Sequence, residues 1–114
     1  MENIRKILKN KILILDGAMG TMIQDYKLDE NDYRGEKFSN YTSSLKGNND
    51  LLSITQPQII EDIHYKYLTA GADIIETNTF NANSISQSDY DLEDYVFEMN
   101  FQSAQIAKNA VKRF

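Results

Sequence analysis

The sequence has no cysteine among its 114 residues. Disulfides, zinc–thiolate centres and a cysteine nucleophile are therefore excluded within this chain, and a reducing compartment is compatible with that absence. It has one proline and five glycines, too few for a low-complexity linker, and no internal repeat is visible. No apolar run approaches the roughly 20 residues of a membrane span. The opening stretch mixes Arg5, Lys6 and Lys9 with isolated Ile and Leu, which is not the pattern of a secretory signal. Positive charge is scarce as well: 12 Lys and Arg against 17 Asp and Glu leave a net charge of −5, which disfavours a broad nucleic-acid surface. The expectation is a cytoplasmic chain with neither nucleic acid nor membrane as partner.

What remains is ordinary globular material, 41% hydrophobic and 25% charged, and not a disordered composition. Residues 2–10 read as a short amphipathic helix. Ile12-Leu13-Ile14-Leu15 is a continuous apolar run ending at Asp16-Gly17, the pattern of a strand buried on both faces. Met19 to Tyr26 reads as a short helix, and 27–50 as a long excursion with little regular structure. Thr55 and Gln58 have capping-box spacing, Pro57 sits in the first turn and Gly71 at the far end, predicting a helix over Pro57–Ala70. Asp73–Thr77, extending to Phe80, reads as a second strand. Asp91 is placed to cap a last helix over Leu92–Arg113, whose apolar stripe keeps i, i+3, i+4 spacing.

Strand, helix, strand, helix predicts a right-handed βαβ unit with the two strands parallel and adjacent. Two parallel strands are too few for a stable sheet, so the pattern reads as the start of a larger α/β fold. The expected division is a leading helix over 1–11, a first βαβ unit over 12–80, and a crossover loop and helix over 81–114.

In such folds ligands gather at the carboxyl ends of the strands. Both expected strands end in small or polar residues: Asp16-Gly17-Ala18-Met19-Gly20, and Glu76-Thr77-Asn78-Thr79-Phe80-Asn81. Asp16-Gly17 is equally explained as an Asx-type turn. Four successive polar positions from Glu76 to Thr79 are harder to explain by packing, because each buried group left unpaired costs about 1–3 kcal/mol. His64, the single histidine, falls in mid-helix and reads as a surface or boundary residue. Tyr65/Tyr67 and Tyr90/Tyr95 read as packing, Lys46-Gly47-Asn48-Asn49-Asp50 as a turn. No phosphate-binding glycine loop is present.

Three stretches carry a family resemblance. Ile14–Met22 resembles the opening of the homocysteine S-methyltransferase domain. Leu68-Thr69-Ala70-Gly71-Ala72-Asp73-Ile74-Ile75-Glu76-Thr77-Asn78-Thr79-Phe80 resembles its second strand. Asp32–Glu36 with Leu45–Leu52 is similar to the amino-terminal module of the cobalamin-dependent methionine synthases rather than to the shorter relatives that use betaine or a sulfonium donor. The resemblance runs from about Ile4 to Phe114.

It implies a (β/α)8 TIM barrel of which this chain would hold the first two βα units, incomplete. The implied reaction transfers a methyl group from methylcobalamin, regenerated from 5-methyltetrahydrofolate, to the zinc-bound thiolate of homocysteine, giving methionine. Zinc and cobalamin belong to the full-length family enzyme. Neither is expected to bind this chain alone, because the zinc-holding cysteines lie on later strands. Implied partners are homocysteine, the remaining barrel strands, and folate- and cobalamin-binding modules. Asp16 matches the acid near the homocysteine amino group. Gly17 and Ala18 match positions whose N–H groups face its carboxylate. Thr77, Asn78, Thr79 and Asn81 fall on the loop lining the substrate pocket. No catalytic residue and no metal ligand is assigned in this chain. Two alternatives stand beside this reading: a truncated non-catalytic fragment, and a cobalamin-independent homocysteine S-methyltransferase.

Overall fold

The computed structural model describes residues 3–114. Seven α-helices follow one another among them: α1 (Ile4–Ile7), α2 (Met19–Gln24), α3 (Glu30–Arg34), α4 (Leu52–Thr55), α5 (Pro57–Ala70), α6 (Ser84–Gln87) and α7 (Val96–Arg113). Short 3-10 turns cover Asn49–Leu51, Ser88–Tyr90 and Glu93–Tyr95. No helix among the described residues is long and apolar enough to cross a membrane.

The α/β expectation, two βα units of a (β/α)8 barrel, is overturned: the described residues contain no strand. The segments read as strands do lie side by side in parallel, but they meet only at an isolated bridge between Leu15 and Ile74. Its neighbouring hydrogen bonds run from Asp16 N–H to the Ile74 carbonyl (2.9 Å) and from Asp73 N–H to the Ile14 carbonyl (2.8 Å). The physical reason is the one that makes a lone parallel pair weak. Such a pair needs flanking strands and cover on both faces, whereas here Ile12, Ile14 and Leu15 stay exposed, Ile12 at 87%.

The core is helical. α5 packs along α7, and α4 packs against both. α5 forms over its predicted range because Pro57 occupies its first turn and Ile60, Ile63 and Leu68 fall on one buried face. It stops at Gly71, which adopts φ 114°, a left-handed conformation, and donates its N–H to the Leu68 carbonyl at 3.0 Å. The predicted capping box is not made: the N-cap is Gln56, with no side-chain cap bond, while Thr55 Oγ1 turns back to the Leu51 carbonyl. In α7, Met99, Ser103, Ile106 and Ala110 are buried. This helix begins four residues later than the predicted Leu92, and Asp91 does not cap it. Asp91 instead takes φ 55° at the end of the turn over Ser88–Tyr90. Of the leading helix expected over 2–10, only Ile4–Ile7 forms, with no buried residue; position 2 lies outside the described residues.

The 27–50 excursion is more ordered than its sequence pattern indicates. Asp29 and Asp32 cap α3 reciprocally. Glu30 then accepts from Arg34 Nε (2.9 Å) and from the backbone N–H groups of Leu45 (2.6 Å) and Lys46 (2.7 Å). Arg34 reaches the carbonyls of Tyr41 and Ser43. This pair folds the excursion back, delivering the fully buried Leu45 to the core and residues 47–50 to the site below.

Candidate functional site

One cleft of about 540 Å³ is lined by residues 16–20, 47–50 and 76–81, together with Ser86 and Tyr90. That size suits a small ligand. All seven residues singled out in the sequence, Asp16, Gly17, Ala18, Thr77, Asn78, Thr79 and Asn81, line it. They converge because the parallel bridge sets the ends of the two extended segments side by side. Asp16 ties that junction together: its N–H goes to Ile74, and its Oδ2 accepts the Glu76 N–H at 3.1 Å. Gly17 lies close under the Tyr67 ring: a Cβ there would stand 3.1 Å from the Tyr67 hydroxyl, so that side chain would have to shift by a few tenths of an ångström. That hydroxyl donates to the Ala18 carbonyl at 2.9 Å. Tyr67 therefore fixes the turn after Asp16 from the α5 side.

The second wall is held differently. The Thr77 and Thr79 hydroxyls lie 2.7 Å apart and hydrogen-bond to each other. Asn78 is buried, and its Nδ2 donates to the Asn49 carbonyl (2.8 Å) and Ser53 Oγ (3.3 Å). Its amide is thus engaged in anchoring the loop. Ser103 Oγ, on α7, lies 2.7 Å from Ser53 Oγ and 3.2 Å from the Asn78 carbonyl oxygen.

Sequence reasoning missed the third wall. Residues 46–50, read as a turn, supply Asn48, Asn49 and Asp50. Asp50 is 4% exposed and its Oδ2 accepts the Asn81 N–H at 2.8 Å. Burial pushes its carboxyl pKa up, partly offset by the backbone N–H groups of Asn81 and of Asp50 itself. Asn48 and Gln87, both buried, exchange side-chain amide bonds of 2.8 and 3.1 Å. The available signal was composition: a run of Asn and Asp hemmed in by Leu45, Leu51 and Leu52, which must be buried with its polar groups satisfied.

His64 is also misread by sequence. It is fully buried, not at the surface or a boundary, and both ring nitrogens lack a hydrogen-bond partner. Burial lowers its pKa, with the Asp16 charge acting in the opposite direction. It does not line the cleft.

The ionisable cleft residues are Asp16, Asp50 and Glu76, accompanied by Tyr90 and by no lysine, arginine or histidine. Such a lining favours a ligand carrying a positive group and offers hydroxyls and amides for the rest. Residues 13–114 match the family model for homocysteine S-methyltransferase. The chain belongs to the homocysteine S-methyltransferase family. That family is one of methyltransferases, so the cleft sits in a chain of methyl-transfer ancestry.

The residues present do not fit the zinc centre that the resemblance implies. The chain has no cysteine, His64 is enclosed beneath the site, and among the described residues no group of three or more His, Asp or Glu could hold a metal ion. Zinc of this kind needs soft ligands in a tetrahedral array.

Proposed function

We propose that this chain is the homocysteine-holding part of a methyltransferase of the cobalamin-dependent methionine synthase type. The observation that carries the reading is the convergence of Asp16–Ala18 and Thr77–Asn81 on one acidic cleft. Asp16, with one carboxylate oxygen held by the Glu76 N–H, faces the substrate ammonium with its charge. The backbone N–H groups of Gly17 and Ala18 receive the substrate carboxylate. The hydroxyls of Thr77 and Thr79 line the remainder of the pocket, towards the sulfur. The reaction needs the thiol to lose its proton, since the thiolate is the nucleophile; its electron pair then forms the S–CH3 bond as the donor's bond to that methyl breaks. No step is derived through zinc, because the chain lacks its ligands, and the methyl donor belongs to other modules. The similarity of residues 32–52 to the methionine synthase module supports this reading over a betaine or sulfonium enzyme.

A second reading, a piece that is inactive until joined to a complementary partner, is favoured by one observation. Ile12, Ile14, Leu15 and Phe80 are exposed beside the cleft's two extended segments, an apolar edge of the kind that another chain or segment covers.

The test is calorimetric titration of the chain with L-homocysteine and with N-acetyl-homocysteine, with and without added zinc. Saturable one-to-one binding of the free amino acid, absent for the acetylated one and unchanged by zinc, is expected. No binding of either compound, or equal binding of both, refutes the reading.

A further inference from the structure

Among the described residues, six of the seven buried polar or charged side chains, Asn48, Asp50, Ser53, Asn78, Gln87 and Ser103, are linked by hydrogen bonds in and behind the cleft loops, while His64 has no hydrogen-bond partner. Within this group two side chains grip the same residue. The Asp50 carboxylate accepts the Asn81 N–H at 2.8 Å, and Gln87 Nε2 donates to the Asn81 carbonyl at 3.0 Å. Asn81 itself is exposed, yet both of these backbone groups are bonded by buried polar side chains, one of them charged. Burying a carboxylate for stability alone is inefficient, since an apolar side chain of similar volume serves as well or better. The grip involves only the backbone of Asn81 and leaves its side chain free at the cleft.

Gln87 does not line the cleft, yet it connects two of its walls. Its amide pairs reciprocally with Asn48 on one side and bonds Asn81 on the other. A planar amide engaged at three points has little freedom to rotate. Gln87 therefore joins the direct bonds from Asp50 to the Asn81 N–H and from Asn78 to the Asn49 carbonyl in setting the distance between the 47–50 wall and the 76–81 wall.

We propose that Asp50 and Gln87 are positioning residues: by holding Asn81 from its N–H and its C=O they preset the Thr77–Asn81 edge for the amino-acid substrate. The proposal rests on the homocysteine reading above. Asp50 and Gln87 act through Asn81 and Asn48, as a frame that keeps the Thr77 and Thr79 hydroxyls in place before the ligand arrives.

The test compares Asp50→Ala, Asp50→Asn, Gln87→Met and Gln87→Glu with the parent chain, using two readouts. Amide hydrogen exchange is followed at Asn81 and at α7 residues Met99 and Ile106, and the Kd for L-homocysteine is measured by calorimetry. Loss of a charge-assisted bond should raise the Asn81 exchange rate and the Kd about tenfold in Asp50→Ala, with α7 protection unchanged. Asp50→Asn keeps an oxygen acceptor and should recover most of both losses. Gln87→Met and Gln87→Glu, which both remove the Nε2 donor, should weaken binding by a similar factor. Equal loss of protection in α7, or a loosened Asn81 with unaltered Kd, overturns the positioning role, as does unchanged Asn81 exchange in Asp50→Ala and both Gln87 variants. If the parent chain binds no homocysteine, the functional reading falls and this role falls with it, while the exchange arm still reports whether the grip exists.

Discussion

At the scale of single residues, Asp16 joins architecture and recognition. Its backbone closes the bridge to Ile74, and one carboxylate oxygen holds the Glu76 N–H. Asp16→Asn preserves shape and removes the charge proposed to face the substrate ammonium. A hydrogen bond to a charged group is worth about 1.5–3 kcal/mol, so homocysteine affinity should fall about tenfold to a hundredfold, read by titration. His64 gives a different kind of prediction. Its folded-state pKa lies below the ordinary 6.5 because burial disfavours the imidazolium. A group with a depressed folded pKa contributes stability above its unfolded pKa and loses it as pH falls. Stability should therefore decline as pH drops below about 6.5, and His64→Leu should flatten that decline without lowering stability at pH 7.5, because two unpartnered nitrogens are removed from the interior. Parallel pH–stability curves for parent and variant would contradict this. The two stretches 16–20 and 76–81 were legible because small and polar residues follow directly on apolar runs, and the family resemblance narrowed them to the seven residues named. His64 and Asp50 were not, since their burial is imposed by elements distant in the chain.

At the scale of elements, α5 and α7 form the frame on which the cleft loops rest. Ile60 and Met99 are both fully buried. Met99→Ala should destabilise the chain by about 2–5 kcal/mol, measured by urea denaturation, and a loss under 1 kcal/mol would show that the α7 seam is not part of the core. α5 was readable end to end, because Pro57, the Ile60–Ile63 face and Gly71 all indicate the same helix. The order in 27–50 was hidden because, beyond the Asp29–Asp32 cap and the i, i+4 pair Glu30–Arg34 on α3, it depends on side-chain bonds to the distant backbone groups of Tyr41, Ser43, Leu45 and Lys46, which leave no apolar period. The apolar runs at 12–15 and 73–77 show the opposite error. Their extended, parallel course was read correctly, but apolar character alone was taken as burial in a sheet, and a lone pair has no flanking strand to provide it.

At the scale of the whole molecule, the shape is elongated, 52 × 26 × 20 Å with a radius of gyration of 15.4 Å, against about 13 Å for a compact domain of 100 residues. Ile12, Ile14, Leu15 and Phe80 remain exposed along the bridged segments, where unpaired backbone groups and apolar side chains together favour association. Sedimentation should show concentration-dependent self-association, reduced in the double variant Ile12→Lys, Ile14→Lys; a strictly monomeric parent chain at all concentrations would contradict this. The central claim is that the acidic cleft between residues 16–20, 47–50 and 76–81 holds homocysteine. Its most direct test is a 15N-resolved NMR titration of the chain with L-homocysteine. The account predicts saturable shifts at the amides of Gly17, Ala18, Thr77, Thr79 and Asn81, with little change along α7. Shifts confined to other surfaces, or none at saturating ligand, would contradict it.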